Sequence, residues 1–138
     1  MLKSSTLLRL AALLVLITCL GHTWGTFAPV LPEQVEVAKA VAVMETTVVP
    51  MPMGKAQSFA DIFFGTNLSV SLLLLLCCAL LLLLSRAPLS GNEKSILAVV
   101  SLGLTALAVI SALYFFPLPA VCTGIAALLG FLVMIKKS

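Results

Sequence analysis

The sequence predicts an all-α membrane protein: a four-transmembrane-helix bundle with both termini cytoplasmic and a short amphipathic helix in its first outer loop. Three observations predict it. The 138 residues are 62% hydrophobic and only 9% charged, whereas a soluble domain is about 45–50% apolar and about 25% charged. The apolar residues fall in four long blocks, at about residues 7–27, 63–84, 96–116 and 118–135, each near the roughly 20 residues that cross a bilayer at about 1.5 Å per residue. The charges between the blocks then sort by sign, and that sorting orients the chain.

Lys3, Arg9, Arg86, Lys94, Lys136 and Lys137 fall on one side of the alternating spans. Lys39 and Lys55 fall on the other, together with Glu33, Glu36, Glu45 and Asp61. The positive-inside rule places the first group, and so both termini, in the cytoplasm. Trp24 and the run Tyr114-Phe115-Phe116 then lie at the outer interface, where amphipathic rings concentrate. The net charge of +3 is read as a topology signal. No basic run interleaved with aromatics suggests nucleic acid, and the whole chain, 1–138, reads as a single integral membrane domain.

The first block has a second reading as a cleavable signal peptide, because Lys3 and Arg9 precede an apolar run that ends in small residues near Cys19 and Gly21. An uncleaved helix is favoured: no clear small-x-small cleavage site appears, and four spans put the basic C-terminal residues inside. The loop at about 28–58 holds "PEQVEVAKAVAVME", with Pro32 at a plausible first helical position. Val37, Ala40, Val41 and Met44 recur at spacings of three and four, so an amphipathic helix on the outer interface is expected. "VVPMPMGK" breaks it with two prolines and a glycine. Its methionines read as packing groups, a copper site being the alternative. "FFPLP" leaves room only for a tight turn between the last two spans.

Small residues mark helix contacts in lipid, since apolar side chains gain little by leaving it. In the third span Ala98, Ser101, Thr105, Ala108 and Ala112 form one such stripe, with Leu97, Leu104 and Leu107 on other faces. In the fourth, Ala120 pairs with Gly124 and Ala126 with Gly130. On the second span Asn67, Ser71, Leu74, Cys78, Leu81 and Ser85 step by three and four into a seam that should face the bundle.

The second span opens on "DIFFGTNLSV". Asp61 follows Ser58 at the spacing of a capping box, and its charge suits the positive end of the helix by roughly 0.3–1 kcal/mol. From Asp61 to Arg86 the helix is about 37 Å long, against a hydrocarbon core of about 30 Å, so Asp61 sits among headgroups. At about 100° per residue, Asp61 and Gly65 stand about 40° apart, but about 120° and 160° from Asn67. Gly65 therefore belongs to a helix-packing face separate from that of Asn67. The functional alternative pairs Asp61 with His22, the single histidine, as a proton relay or a polar ligand site that Asn67 and Ser71 would extend.

Other chemistries lack their residues. The four cysteines hold no C-x-x-C, which disfavours a disulfide oxidoreductase; a Cys19–Cys122 bridge is geometrically possible, with membrane-buried thiols as the default. One histidine cannot ligate haem from both sides, and no metal-ligand cluster, phosphate loop or paired carboxylates occur. Exporters built on a carboxylate near the midplane of the first helix are disfavoured, because no span carries a central charge.

"CLGHTWGTF" and "DIFFGTNLSVSLLLLL", with the outer amphipathic loop between them, are broadly similar to small bacterial four-helix membrane proteins of the DoxX-like group. His22, Gly25, Phe64 and Gly65 carry the likeness. Some of that group are associated with quinone-linked sulfur oxidation or redox complexes, so the resemblance implies a quinone or lipid module as one reading. The leading expectation is a non-enzymatic accessory subunit with no cofactor, whose partners are the lipid bilayer and a membrane protein or a second copy. A small transporter or channel is the third reading.

Overall fold

The computed structural model describes residues 3–51, 54–86 and 88–136. Lys137 of the charge pattern, and Pro52 and Met53 of the loop, lie outside the described residues. In chain order the elements are α1 (Ser4–Phe27), α2 (Val35–Thr46), β1 (Val48–Val49), β2 (Gln57–Ser58), α3 (Phe59–Leu84), α4 (Gly91–Tyr114) and α5 (Pro117–Ile135). Helices α1, α3, α4 and α5 are each long and apolar enough to cross a membrane. The described chain divides into two compact units, one within Met1–Gly21 and Leu72–Ser138 and the other His22–Ser71.

The first unit is a helical bundle drawn from α1, α3, α4 and α5. Its buried positions recur at helical spacing: Leu8, Ala11, Ala12 and Val15 on α1, then Leu74, Cys78 and Leu81 on α3. Helix α4 buries Leu97, Val100, Ser101 and Leu104, and α5 buries Cys122, Thr123, Ala126, Ala127, Gly130 and Val133. Much of this interior is small or hydroxylic. The bulk faces outward, as with Leu13, Leu72, Leu73, Leu76, Leu83, Leu102 and Leu128. In water such a surface would aggregate. In hydrocarbon it is the lipid face, while small groups let the helix backbones approach.

Three threonine hydroxyls of this unit bond to the carbonyl one turn back, which lowers the cost of placing them in a low-dielectric setting. Thr18 Oγ1 donates to the Leu14 carbonyl at 3.1 Å, Thr105 Oγ1 to that of Ser101 at 2.9 Å and Thr123 Oγ1 to that of Pro119 at 2.7 Å. The Cys78 thiol crosses from α3 to α1 and donates to the Ala12 carbonyl at 3.4 Å.

The expected seam on α3 is buried at Ser71, Leu74, Cys78, Leu81 and Ser85, with Asn67 half-buried. The stripe expected on α4 is rearranged. Ser101 is buried, Ala98 and Ala108 are half-buried, and Thr105 and Ala112 are exposed. Leu97 and Leu104, assigned to other faces, are among the most deeply buried side chains of the chain. The reason is geometric: Leu97, Val100, Ser101 and Leu104 form their own sequence of three-and-four steps, and α5 meets that face. Against it stand small residues of α5, which make room for leucine. Gly124 is in ordinary contact with Ala108, and Gly130 is pressed directly against Ser101. A side chain at Gly65 would meet no atom within 4 Å, so this glycine is not a close-packing position within the chain.

Helices α3 and α4 begin several residues earlier than their apolar runs, because polar residues cap them. Helix α4 starts at Gly91 through a capping box in which Glu93 Oε2 accepts the Ser90 backbone N–H at 2.9 Å and also the Ser90 hydroxyl. Helix α5 starts with Pro117 after an extended Phe116, where the missing N–H costs nothing. Only Phe115 and Phe116 separate α4 from α5.

The second unit holds the end of α1, then α2, β1, β2 and the start of α3. Pro32 lies in a turn ahead of α2 instead of at its first position: the Gln34 N–H donates to the Leu31 carbonyl at 2.9 Å, and Gln34 Oε1 accepts the Leu31 N–H at 2.9 Å. Helix α2 has no fully buried residue; Val41 and Met44 of the expected stripe are half-buried, while Val37 and Ala40 are exposed. Its Lys39–Glu36 pair at 2.8 Å is exposed and contributes about 0–1 kcal/mol. The two strands were not foreseen. β1 and β2 pair antiparallel, Val48 with Ser58 and Val49 with Gln57, and the chain between them turns at Gly54, whose φ of 114° suits a residue without Cβ.

Candidate functional site

The polar groups singled out at the start of α3 all lie in the second unit, and the structure gives each a partner. Ser58 ends β2 and caps α3. Its hydroxyl accepts the Asp61 N–H at 3.1 Å and donates to Asp61 Oδ2 at 2.7 Å. One residue satisfies a free helical N–H and holds the carboxylate at the positive end of the helix. The Phe59 N–H donates to the Thr47 carbonyl at 2.8 Å, so the residue that closes α2 also satisfies the first N–H of α3.

His22, on α1, meets a different part of α3. Its Nε2 lies 3.1 Å from the backbone oxygen of Asn67. A carbonyl oxygen only accepts, so Nε2 carries the proton, and in the neutral ring Nδ1 is then bare. The adjacent Thr23 Oγ1 donates to Ser71 Oγ at 3.0 Å, one helical turn along α3. Thr26 Oγ1 returns to the His22 carbonyl at 2.9 Å. The Asn67 amide stays on its own helix, where its Nδ2 donates to the Phe63 carbonyl at 2.8 Å. Phe27 and Phe64 close this contact edge to face, with ring centroids 5.4 Å apart and planes at 85°, a geometry worth about 0.5–1.5 kcal/mol beyond its buried area.

The expected Asp61–His22 pair does not form: Asp61 is held by Ser58, His22 by Asn67, and the Lys39–Glu36 bridge is the one ion pair among the described residues. The helical angle explains this. Asn67 and Ser71 occupy the face of α3 that α1 touches, and Asp61 stands about 120° from it. His22, Asn67 and Ser71 are therefore brought together, and Asp61 and Gly65 are not.

Thr23 and Thr26 escaped the sequence reading. A hydroxyl beside His22 and another one turn on gave a signal, but both residues also read as helix filler. The S-x-x-E spacing of Ser90 and Glu93 was legible and went unused. Among the described residues no group of three or more His, Cys, Asp or Glu side chains stands together as a metal site. None of Cys19, Cys77, Cys78 and Cys122 is in a disulfide, so the possible Cys19–Cys122 bridge is not made.

Comparison of the chain with known protein families, with curated proteins and with solved structures yields no match.

Proposed function

We propose that the protein is a non-enzymatic accessory subunit of a bacterial inner membrane, with both termini cytoplasmic and α2 outside, and that it acts by binding another membrane protein or a second copy of itself. One observation carries this reading: the polar side chains at the His22 contact are spent on holding α1 to α3, with His22 and Thr23 bonded to Asn67 and Ser71. Groups used in this way serve as helix glue.

Helix α4 supports the interaction half of the reading. Ala98, Thr105 and Ala112 recur every seven residues, and the last two are exposed, so the chain itself leaves a small-residue edge for a neighbouring helix. The orientation rests on the cations at the start of α1, the end of α3, the start of α4 and the end of α5. Trp24, 79% exposed, and Tyr114, 77% exposed, suit an aromatic belt at the other interface.

Purification from native membranes after cross-linking tests the proposal. A stoichiometric partner, or a dimer of this chain, is expected, and Ala112→Leu should abolish it while leaving the helical content intact. Recovery of the monomer alone from cross-linked membranes would overturn the reading.

A second reading keeps the bare Nδ1 of His22 as an acceptor for a hydroxyl of a lipid or of a quinol, the reduced form of a quinone, in line with the resemblance to DoxX-like proteins. A quinone copurifying with the wild-type chain and lost in His22→Ala would favour it over the first.

A further inference from the structure

The strongest unassigned feature lies in the first unit, where the first turn of α1, the end of α3, the start of α4 and the end of α5 surround a cavity of about 210 Å³. Its polar lining is Ser4, Ser5, Lys94 and Lys136, two hydroxyls and two cations. Leu8 and Val133 give it an apolar floor. A second cavity of about 260 Å³ adjoins it, sharing Leu84, Pro88 and Leu89 as a common wall. Leu80, Leu83 and Ile96 make this second space almost wholly apolar. Its one charged residue, Glu93, is turned to Ser90 in the capping box of α4.

We propose that this pair of cavities is a binding site for a phosphate group carried on an acyl chain, an anionic phospholipid. The two lysines take the phosphate charge and the serine hydroxyls donate to its oxygens. The positive end of α1, which begins at Ser4, adds to the same field. The adjoining groove receives the proximal part of an acyl chain, and a hydrated free phosphate would gain nothing from it. Basic pockets between transmembrane helices recognise lipid headgroups by this combination, each lysine near the surface contributing about 1 kcal/mol. The site is independent of His22 and of the α4 edge, so it stands or falls apart from the accessory-subunit reading.

The test is native mass spectrometry of the full-length protein in detergent, titrated in parallel with phosphatidylglycerol, phosphatidylcholine and inorganic phosphate. Phosphatidylglycerol should bind at least tenfold more tightly than phosphatidylcholine. Lys94→Gln and Lys136→Gln should each weaken it about fivefold, the ratio equivalent to about 1 kcal/mol, and Lys39→Gln on α2 should leave it unchanged. Circular dichroism verifies that each variant is folded, and if the double variant is not, the two single variants decide. Equal binding of both lipids, or full binding by the folded lysine variants, would overturn the site. Inorganic phosphate binding as tightly as phosphatidylglycerol would overturn the lipid assignment and leave a free-phosphate site.

Discussion

The hydroxyl of Ser101 on α4 fills the space that a Cβ at Gly130 on α5 would occupy. Ser101 is 1% exposed, and its Oγ has no hydrogen-bond partner. An unpaired buried hydroxyl costs on the order of 1–3 kcal/mol. The two residues thus specify each other: serine at this point requires glycine across from it.

Gly130→Ala should therefore destabilise the fold by about 1–3 kcal/mol through overpacking. Its methyl would meet the Ser101 hydroxyl and lie 3.3 Å from Ser101 Cβ and 3.5 Å from Leu97 Cδ1. Ser101→Ala removes both the obstruction and the unpaired hydroxyl, so alone it should be neutral or stabilising. In Ser101→Ala/Gly130→Ala most of the loss should return. Thermal unfolding of the four proteins in one detergent gives the coupling energy directly; an unrecovered double variant would show that Leu97, not Ser101, sets the limit.

His22 and Asp61 should behave as independent residues. His22→Ala loses its bond to the Asn67 carbonyl, worth about 0.5–1.5 kcal/mol. Asp61→Ala loses its bond to Ser58 and the favourable charge at the start of α3, worth about 0.3–1 kcal/mol. Because no bond joins the two, the double variant should be additive to within about 0.3–0.5 kcal/mol. A coupling above about 1 kcal/mol in the same unfolding assay would restore the relay that the geometry denies.

The four apolar helices were legible in the sequence because a stretch long enough to span lipid leaves an unambiguous run. The α3 seam was legible for a second reason: its polar and small members, from Asn67 to Ser85, have no other use on a helix so rich in leucine. The α4 seam was misread by the same rule. Small residues lined two of its faces, and which one α5 would meet depended on glycines in another helix. His22 and Asp61 share a membrane depth, which sequence conveys, but partner choice is decided by rotation about α3, and that places Asn67 and Ser71 toward α1. The β1–β2 pair left no signal, being two residues long on each side.

The box at the start of α4 should govern the local stability of that helix. Glu93→Ala removes the acceptor of both Ser90 donors and should cost about 0.5–2 kcal/mol, the range for loss of a helix cap. The loss should be local. Hydrogen exchange ought to quicken at residues 91–95, while Ser101 and Leu104 keep their protection, since buried contacts with α5 hold the middle of the helix. Uniform acceleration along α4 would mean that the cap supports the whole helix pair.

Cys78 offers the sharpest test of packing between α1 and α3. Its side chain is 5% exposed, and its thiol reaches the carbonyl of Ala12, itself 1% exposed. A cysteine here acts as a small apolar filler with one weak donor, so Cys78→Ala loses little, about 1 kcal/mol of transfer free energy for roughly one heavy atom. Cys78→Leu adds a net two heavy atoms in a place where α1 presents backbone, and overpacking should cost about 1–3 kcal/mol. Ala12→Gly opens space on the facing helix and should recover part of that loss, less the roughly 1 kcal/mol that glycine costs in a helix interior. If Cys78→Leu is tolerated as well as Cys78→Ala, the two helices stand further apart at this level than a 3.4 Å contact between Sγ and the carbonyl oxygen permits.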